Sequence, residues 1–266
     1  PLEAFLPWLG DPTGGKEVSE VKMILHGWLP LLMVSLLAGC ATTTAPKAFR
    51  AHPLMSALLT DANRIMVIPL KIEIFQISAG GVREKMDAWS GQGRTNVMAA
   101  IQQELEKRPM LNIKTFNESL ISQAQRVNLD QTQALFDVVS FSIWMHSYGS
   151  KPNFFADKAE NFHYSLGTEI RDLTDDVDVL LLCHCYEHVP STGKKAIDAG
   201  MVVLGLLGGV FLQPTTSATV LNLALVDADS GTIIWYNQFT GGDRADIRNP
   251  IQATGIIQAL LQDFPL

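Results

Sequence analysis

The residues with the clearest capacity for chemistry are Cys183, His184 and Cys185, followed by His188. Thiolates and imidazoles ligate zinc, but a zinc site takes four ligands, and the sequence contains no second cysteine pair. Side chains alternate between the faces of a strand, so both thiols face one side and both histidines the other. A disulfide between Cys183 and Cys185 is geometrically poor, because i and i+2 side chains on a strand lie too far apart. We therefore expect two buried thiols and no cofactor, with a metal site or a redox pair as the alternatives.

Two acidic segments could also bind a cation through oxygen ligands. The first lacks the glycine and terminal glutamate of an EF-hand loop, so we expect a solvated helix end there; its members are Asp172, Asp175, Asp176 and Asp178. The second, Asp227-Ala-Asp229-Ser-Gly231, is typical of a tight turn in which glycine supplies positive φ.

The sequence contains no signature of a known catalytic site. Gly-x-Ser-x-Gly, the phosphate-binding loop and His-Glu-x-x-His are all missing from it. Gly91-Gln-Gly93 is not preceded by a predicted strand, as a dinucleotide-binding turn would be. The alternative that remains open is a metal-dependent hydrolase or metal-binding protein of the envelope, using His163, His184 or His188.

Composition narrows the class of protein. The 266 residues carry a net charge of −7, which argues against nucleic-acid binding through phosphate contacts. Only 18% of the residues are charged, and two stretches, 23–46 and 199–226, contain no Asp, Glu, Lys or Arg. With 47% hydrophobic residues the chain is not a disordered acidic protein, and three cysteines do not make a disulfide scaffold.

The first uncharged stretch has the pattern of a secretion signal. Its apolar core, 29–37, is about half the roughly 20 residues that a membrane-spanning helix needs. Leu37-Ala38-Gly39-Cys40 resembles the bacterial lipobox, in which the cysteine is lipidated and becomes the new N-terminus. Ala41 in that family permits sorting to the outer membrane. A buried cysteine at the end of a hydrophobic helix is the alternative, but the Thr/Ala/Pro-rich segment after Cys40 favours a lipidated tether.

These features predict four segments. Residues 1–20 are an untranslated extension if translation starts at Val21, which places Lys22 before the apolar core. Residues 21–39 are the signal peptide, 40–60 the lipidated cysteine and tether, and 61–266 one α/β domain. Removal of 1–39 takes away four acidic and two basic residues and leaves a net charge of −5.

The predicted domain is one mixed sheet of about five strands with helices packed on it. Pro69 interrupts the first predicted strand and lacks an N–H, so that strand lies at an edge or bends there. Leu135, Val138, Val139, Ile143 and Trp144 form the predicted apolar stripe of a helix over 129–146. The predicted segments are strands at 64–75, 111–116, 177–186, 217–226 and 232–240, the last two as a hairpin, and helices from Thr95, over 129–146 and after Asn249-Pro250.

The hairpin carries a family resemblance. ALVDADSGTIIWYNQF (224–239) resembles the Leu-Val-Asp…Thr-Gly…Val-Trp hairpin of small periplasmic lipoproteins, with Ser230 in place of the threonine. Over 130–239, which includes FHYSLG (162–167), the chain resembles an uncharacterised family of proteobacterial periplasmic lipoproteins. It is more distantly similar to the anticodon-binding-domain-like lipoproteins of curli secretion and penicillin-binding-protein activation. The resemblance implies a fold rather than an activity, and it supplies no catalytic residues.

The second uncharged stretch is the other candidate site. Residues 199–212 are apolar and glycine-rich, and they are either a buried crossover between strands or an exposed element that docks a partner or enters the membrane. The candidate contact residues are Val202, Leu204, Leu206, Leu207, Val210 and Phe211. The sequence thus predicts a lipid-anchored, non-enzymatic module on the periplasmic face of the outer membrane, with envelope proteins or further copies of itself as partners.

Overall fold

The apolar run that follows Asp178 forms the longest strand and the centre of the sheet. The computed structural model describes residues 49–148, 161–173, 176–207, 217–243 and 245–266. The predicted lipobox with Cys40 and the predicted signal peptide therefore lie outside the described residues. The strands are β1 (Phe49–Ala51), β2 (Arg64–Val67), β3 (Lys71–Ile77), β4 (Arg83–Lys85), β5 (Asn112–Thr115), β6 (Val179–Pro190), β7 (Ala218–Asp227) and β8 (Ile233–Gly241).

These strands form one mixed sheet in the order β1-β8-β7-β6-β2-β5. β6 runs antiparallel to β7 on one side, and on the other side it pairs in parallel first with β2 and then with β3. β4 pairs with the outer side of β3. The mixed sheet and the C-terminal hairpin followed by a helix are as predicted, but the described residues form eight strands instead of about five. The prediction missed β1 and β4, because three-residue strands owe their conformation to pairing and leave little pattern in the sequence.

Helices cover both faces of the sheet. They are α1 (Met55–Leu58), α2 (Asp87–Leu105), α3 (Gln123–Ile143), α4 (Thr192–Leu207) and α5 (Pro250–Leu261). α2 and α5 share one apolar core with Leu181 and Cys183 of β6, whereas α3 shares a second core with Leu180 and Leu182. The alternation of side chains along β6 thus separates the two helical layers.

Pro69 bends a strand in the interior of the sheet instead of marking an edge. β2 and β3 follow one another along β6 and are separated by residues 68–70. The amide of Ile68 still donates to the carbonyl of Leu181 at 3.0 Å, and pairing with β6 resumes at Lys71. The missing N–H of proline therefore falls in the gap between the two paired stretches of the ladder.

The predicted start of α2 at Thr95 is wrong, because the helix begins at Asp87 and contains both Gly91 and Gly93. A Cβ on Gly93 would lie 2.9 Å from Cδ1 of Ile247, so the glycine permits close packing of the helix.

The predicted apolar stripe of α3 is also largely wrong. The helix begins at Gln123 instead of at 129, after a capping box formed by Ser122 and Gln125. Ile143 is buried and Val139 packs against the core, but the other three predicted members are exposed: Leu135, Val138 and Trp144.

The domain also includes some residues of the predicted tether. β1 pairs with β8, and Met55 and Leu58 of α1 pack against the α2–α5 core. The folded domain therefore includes 49–60.

Candidate functional site

Lys71, Asp137 and His184 form a polar cluster between the sheet and α3. Lys71 and His184 are register partners on adjacent strands, and Asp137 reaches them from the helix. Nζ of Lys71 donates to Oδ2 of Asp137 at 2.5 Å, and Nδ1 of His184 contacts Oδ1 of the same carboxylate. One carboxylate thus binds two side chains on two strands.

The break at Pro69 positions this cluster. The carbonyl of Pro69 accepts a hydrogen bond from Nε2 of Gln133 at 2.9 Å, and the carbonyl of Leu70 accepts one from Nε of Arg94 at 3.1 Å. Gln133 precedes Asp137 by one turn of α3, so the same helix face satisfies the strand break and reaches Lys71. The two carbonyl groups at the break in the strand therefore bind side chains from both helical layers, Gln133 of α3 and Arg94 of α2.

The charges of the cluster favour an ionised Asp137. Burial opposes ionisation, but the hydrogen bonds from His184 and Lys71 outweigh it and lower the pKa of Asp137. Tyr186 lies beside His184, with 4.1 Å between the ring centroids. Burial first, and then the negative charges of Asp137 and Glu73, raise the pKa of Tyr186. The cluster therefore carries a carboxylate, a lysine and a neutral phenol at neutral pH.

This arrangement resembles an Asp–His pair of a hydrolase, but it does not expose the imidazole. His184 is 1% exposed, and its Nε2 has no hydrogen-bond partner among the described residues. The cleft beside it has room for about one water molecule. Cys183 lines the same cleft, but its thiol belongs to the opposite core, and burial raises its pKa. The geometry therefore supports attachment of α3 to the sheet rather than catalysis.

The structure separates the residues that the metal hypothesis would combine. Cys183 and Cys185 are free and buried on the α2–α5 face, while His184 is on the α3 face. His188 packs against Phe75 with 5.6 Å between ring centroids. His163 contacts His52 instead, at 3.0 Å between Nδ1 and Nε2. Within the described ranges, no group of three or more His, Cys, Asp or Glu residues has the geometry of a metal site.

The acidic segments have structural partners. Oδ2 of Asp178 accepts from the amides of Asn63 and Arg64, and Asp176 forms ion pairs with Arg64 and Lys114. Asp175 lies outside the described residues. These carboxylates join β2, β5 and the start of β6 and are paired with cations of the protein itself.

The Asp227–Gly231 segment is a tight turn, as predicted. Oδ1 of Asp227 accepts from the amide and hydroxyl of Ser230, and Gly231 has φ +70°. The amide of Leu166 donates to the carbonyl of Gly231 at 2.8 Å. The turn therefore binds the FHYSLG segment to the hairpin.

Two helices expose most of the large apolar side chains that face solvent. Of the fifteen such side chains in the described part of the chain, ten lie on α3, the π-helical turn Trp144–Tyr148 that follows it, or α4. On α3 they extend along the side opposite the sheet, at helical spacing. We call this set the α3 stripe: Val127, Ala134, Val138, Phe141 and Met145.

The α3 stripe is uncharged and bordered by aromatic residues. Asp137, which binds Lys71, is the only Asp, Glu, Lys or Arg in the sequence from 131 to 148. Phe141 stacks on Trp144 with 5.8 Å between ring centroids. Val138 was predicted to lie in the core, but it is exposed, because apolar residues occur on both sides of this helix.

α4 contains the second predicted site. Leu204 is exposed and Val202 is half-buried, and the neighbouring Met201 and Val203 are exposed as well. The side chains of Leu206 and Leu207, and residues Val210 and Phe211, lie outside the described part. The interpretation of this segment as a buried crossover is therefore wrong for residues 199–204. Among the described helices, none is long and apolar enough to cross a bilayer.

Comparison with known proteins gives a weak structural likeness. No known family profile and no curated protein matches the sequence. The PelC dodecamer from Paraburkholderia phytofirmans matches with a TM-score of 0.33 and 9% identity, over 80% of this chain and 91% of PelC. A point variant of that dodecamer matches with a TM-score of 0.28 and 8% identity, over 75% of this chain and 87% of its own length. A likeness at this level does not bear on function.

Proposed function

We propose that this chain is a lipid-anchored periplasmic lipoprotein that binds or assembles cell-envelope proteins without catalysing a reaction. The observation that carries this proposal is the α3 stripe. Val127, Ala134, Val138, Phe141 and Met145 align on the exposed side of one helix, and large exposed apolar patches of this kind mark interaction sites.

The composition of the stripe favours a protein as its ligand. Aromatic residues and methionine are enriched in protein interfaces, and charged residues are depleted from their centres. Phe141, Trp144 and Met145 are exposed at the C-terminal end of the helix, and the sequence from 138 to 148 contains no Asp, Glu, Lys or Arg. An amphipathic helix of a partner, or a second copy of this chain, fits such a surface.

The second part of the proposal is the anchor. Cys40 ends the lipobox-like sequence, and Ala41 suits outer-membrane sorting by analogy with bacterial lipoproteins. Each buried CH₂ group of an acyl chain contributes about 0.8 kcal/mol to membrane binding, so several chains on one cysteine anchor the protein stably. The domain would then act at the periplasmic face of that membrane.

The test of the docking part is chemical crosslinking in intact cells, followed by purification and mass spectrometry. We expect the wild-type chain to yield one specific partner or its own dimer, and a Val138→Glu, Phe141→Glu double variant to lose it. Ile251→Glu is the matched control, since Ile251 is exposed on α5 in the opposite layer. If the double variant and the control recover the same partners as wild type, the α3 stripe is not the docking face.

The anchor is tested separately on the same purified protein. Its intact mass should show cleavage before Cys40 and the addition of lipid, and Cys40→Ala should abolish both. An unmodified Cys40 in the wild-type protein would contradict the anchor and leave the crosslinking result to be judged alone.

A further inference from the structure

We infer that the hydrogen bond between the imidazoles of His52 and His163 is a pH-sensitive contact that fastens two short segments at the start of β8 and weakens in mild acid. The segments are 49–52 and the FHYSLG segment, 162–167. The inference goes beyond the proposed function and depends neither on the lipid anchor nor on the α3 stripe.

The two segments meet beside the first residues of β8. β1 pairs antiparallel with β8, and after its last residue the amide of His52 donates to the carbonyl of Ile234 at 2.9 Å. The amide of Ile233, the residue before, donates to the carbonyl of Tyr164 at 2.9 Å. His52 therefore ends the first segment at the point where the second begins to pair, and His163 immediately precedes Tyr164.

Both segments are short and one of them is strained. β1 has three residues, and the FHYSLG segment forms an isolated bridge to the hairpin instead of a strand. Phe162, next to His163, has φ +41°, which is unfavourable for a bulky residue and persists only where neighbouring contacts hold it. A single side-chain hydrogen bond between the segments therefore matters more here than it would between two long strands.

The backbone around His52 fixes which atom carries the proton. Nδ1 of His52 accepts a hydrogen bond from the amide of Leu54 at 3.2 Å, so the proton of the neutral ring is on Nε2. Nε2 lies 3.0 Å from Nδ1 of His163, which accepts that proton in a hydrogen bond. The rings meet edge to face with 4.8 Å between their centroids. Both imidazoles must be neutral for this arrangement to form.

A further proton on either ring opposes the contact. On His163 it occupies the accepting Nδ1, and on His52 it faces the amide hydrogen of Leu54. Burial, and then the charge of His163, lower the pKa of His52 below its usual 6.5. The unfolded or opened state therefore binds more protons than the closed state, so the contact is fully stabilising above pH 6.5 and loses stability as the pH falls.

The other titratable groups of the surrounding elements do not substitute for this pair. Arg50 is bound to the π-helical turn after α3, through the carbonyl of Ser147. Burial raises the pKa of three phenols, which stay neutral in this range: Tyr148, Tyr164 and Tyr236. The remaining groups are His146, Asp227, Asp229 and Glu169. Within the described ranges, none of these four pairs with either imidazole of the contact.

The test is amide hydrogen exchange, resolved by NMR, on the full chain at about pH 7.5 and about pH 5. EDTA is present throughout, so that no metal ion bridges the two imidazoles. Protection factors, which correct for the effect of pH on intrinsic exchange, are compared for the amides of His52, Ile233 and Leu166. We expect them to fall about tenfold in acid, since one unit of pKa shift is a factor of ten, while amides between β6 and β7 lose no protection.

His52→Asn separates the histidine contact from the local turn. The asparagine oxygen can still accept from the amide of Leu54, two residues on, but the side chain is too short to reach His163. We expect this variant to have the lower protection already at neutral pH and to change little in acid. His188→Asn is the matched control, because His188 is also half-buried but packs against Phe75, and it should behave as wild type.

The imidazole resonances of wild type give a second readout that needs no variant. Coupled rings bind their protons in two steps separated by more than about one pH unit. Two independent titrations with the same midpoint would overturn the inference. So would wild-type protection that does not change with pH, or a His52→Asn protein whose protection falls in acid as much as that of wild type.

Discussion

Nζ of Lys71 lies 2.5 Å from Oδ2 of Asp137, and this contact joins the first residue of β3 to the middle of α3. The other carboxylate oxygen contacts His184 on β6. α3 thus contacts the sheet in two ways. Phe136 and Ile143 pack in the apolar core, and the Lys71–Asp137 ion pair lies beside them. This attachment leaves the opposite side of the helix, the α3 stripe, free for a partner.

Asp137→Asn should destabilise the domain by about 1–3 kcal/mol, because it leaves Lys71 and His184 without a charged acceptor. The free energy of unfolding from urea titration measures the effect. Asp130→Asn is the matched control on the exposed side of α3 and should change it by less than about 0.5 kcal/mol. Equal stabilities for the two variants would show that the cluster does not attach the helix.

Glu187 should make the domain less stable as the pH rises. Burial raises the pKa of Glu187 to about 7, against the hydrogen bond from the amide of Ile247, while the reference value is 4.5. Between these values the folded state binds more protons than the unfolded state, so stability falls with increasing pH, by about 3 kcal/mol at most.

Glu187→Gln should remove this decrease of the free energy of unfolding with pH, which chemical denaturation measures between the reference pKa of 4.5 and the raised pKa of about 7. Glu84→Gln, at an exposed position on β4, should retain it. An unchanged slope in the Glu187 variant would assign the pH dependence to other groups.

Asp178 should act in the opposite sense at lower pH. The hydrogen bond from the Arg64 guanidinium, opposed by burial and aided by backbone amides, lowers the pKa of Asp178 from 3.8 to about 2. Its stabilising effect is complete above pH 3.8 and is lost as the pH falls towards 2. Asp178→Asn should reduce the dependence of the free energy of unfolding on pH in that window. Asp229→Asn, in the exposed hairpin turn, should leave that dependence unchanged. Identical acid unfolding of wild type and Asp178→Asn would refute the assignment.

Gly231→Ala should destabilise the hairpin. Gly231 has φ +70°, and a Cβ there would overlap the carbonyl oxygen of Gly167. A strained residue of this kind costs about 1–3 kcal/mol, which thermal unfolding detects. Gly255→Ala in α5 is the control, since its Cβ meets no atom within 4 Å and should stabilise the helix by about 0.5–1 kcal/mol. A Gly231→Ala protein as stable as wild type would show that the FHYSLG segment moves aside without cost.

The sequence was sufficient for elements whose pattern matches their surroundings. β6 is apolar on both sides because both of its faces are covered, and Asn249-Pro250 begins α5 as such a pair predicts. Cys183 and Cys185 lie on the opposite face of the sheet from His184, as the alternation of side chains along a strand predicts.

The sequence was insufficient where tertiary contacts override the local pattern. α3 turns Thr132 and Ser140 inward and Val138 and Phe141 outward, the reverse of the usual rule. Gly91 and Gly93 each disfavour a helix by about 0.5–1 kcal/mol relative to alanine, but here the missing side chain of Gly93 gives space to Ile247. The cluster of Lys71, Asp137 and His184 could not be foreseen, because its members are distant in the chain and meet only after β3, β6 and α3 have assembled.

The most direct test of the central claim is a photo-crosslinking scan along α3 in intact cells. A photoreactive amino acid is placed in turn at positions 126–145, and the yield of each crosslinked adduct is measured. The proposal predicts one adduct whose yield peaks at the positions of the α3 stripe, Val127, Ala134, Val138, Phe141 and Met145, with a minimum at exposed Arg126 on the flank of the helix. A yield with no helical periodicity, or none above that of a probe at Ile251, would contradict a docking role for this face.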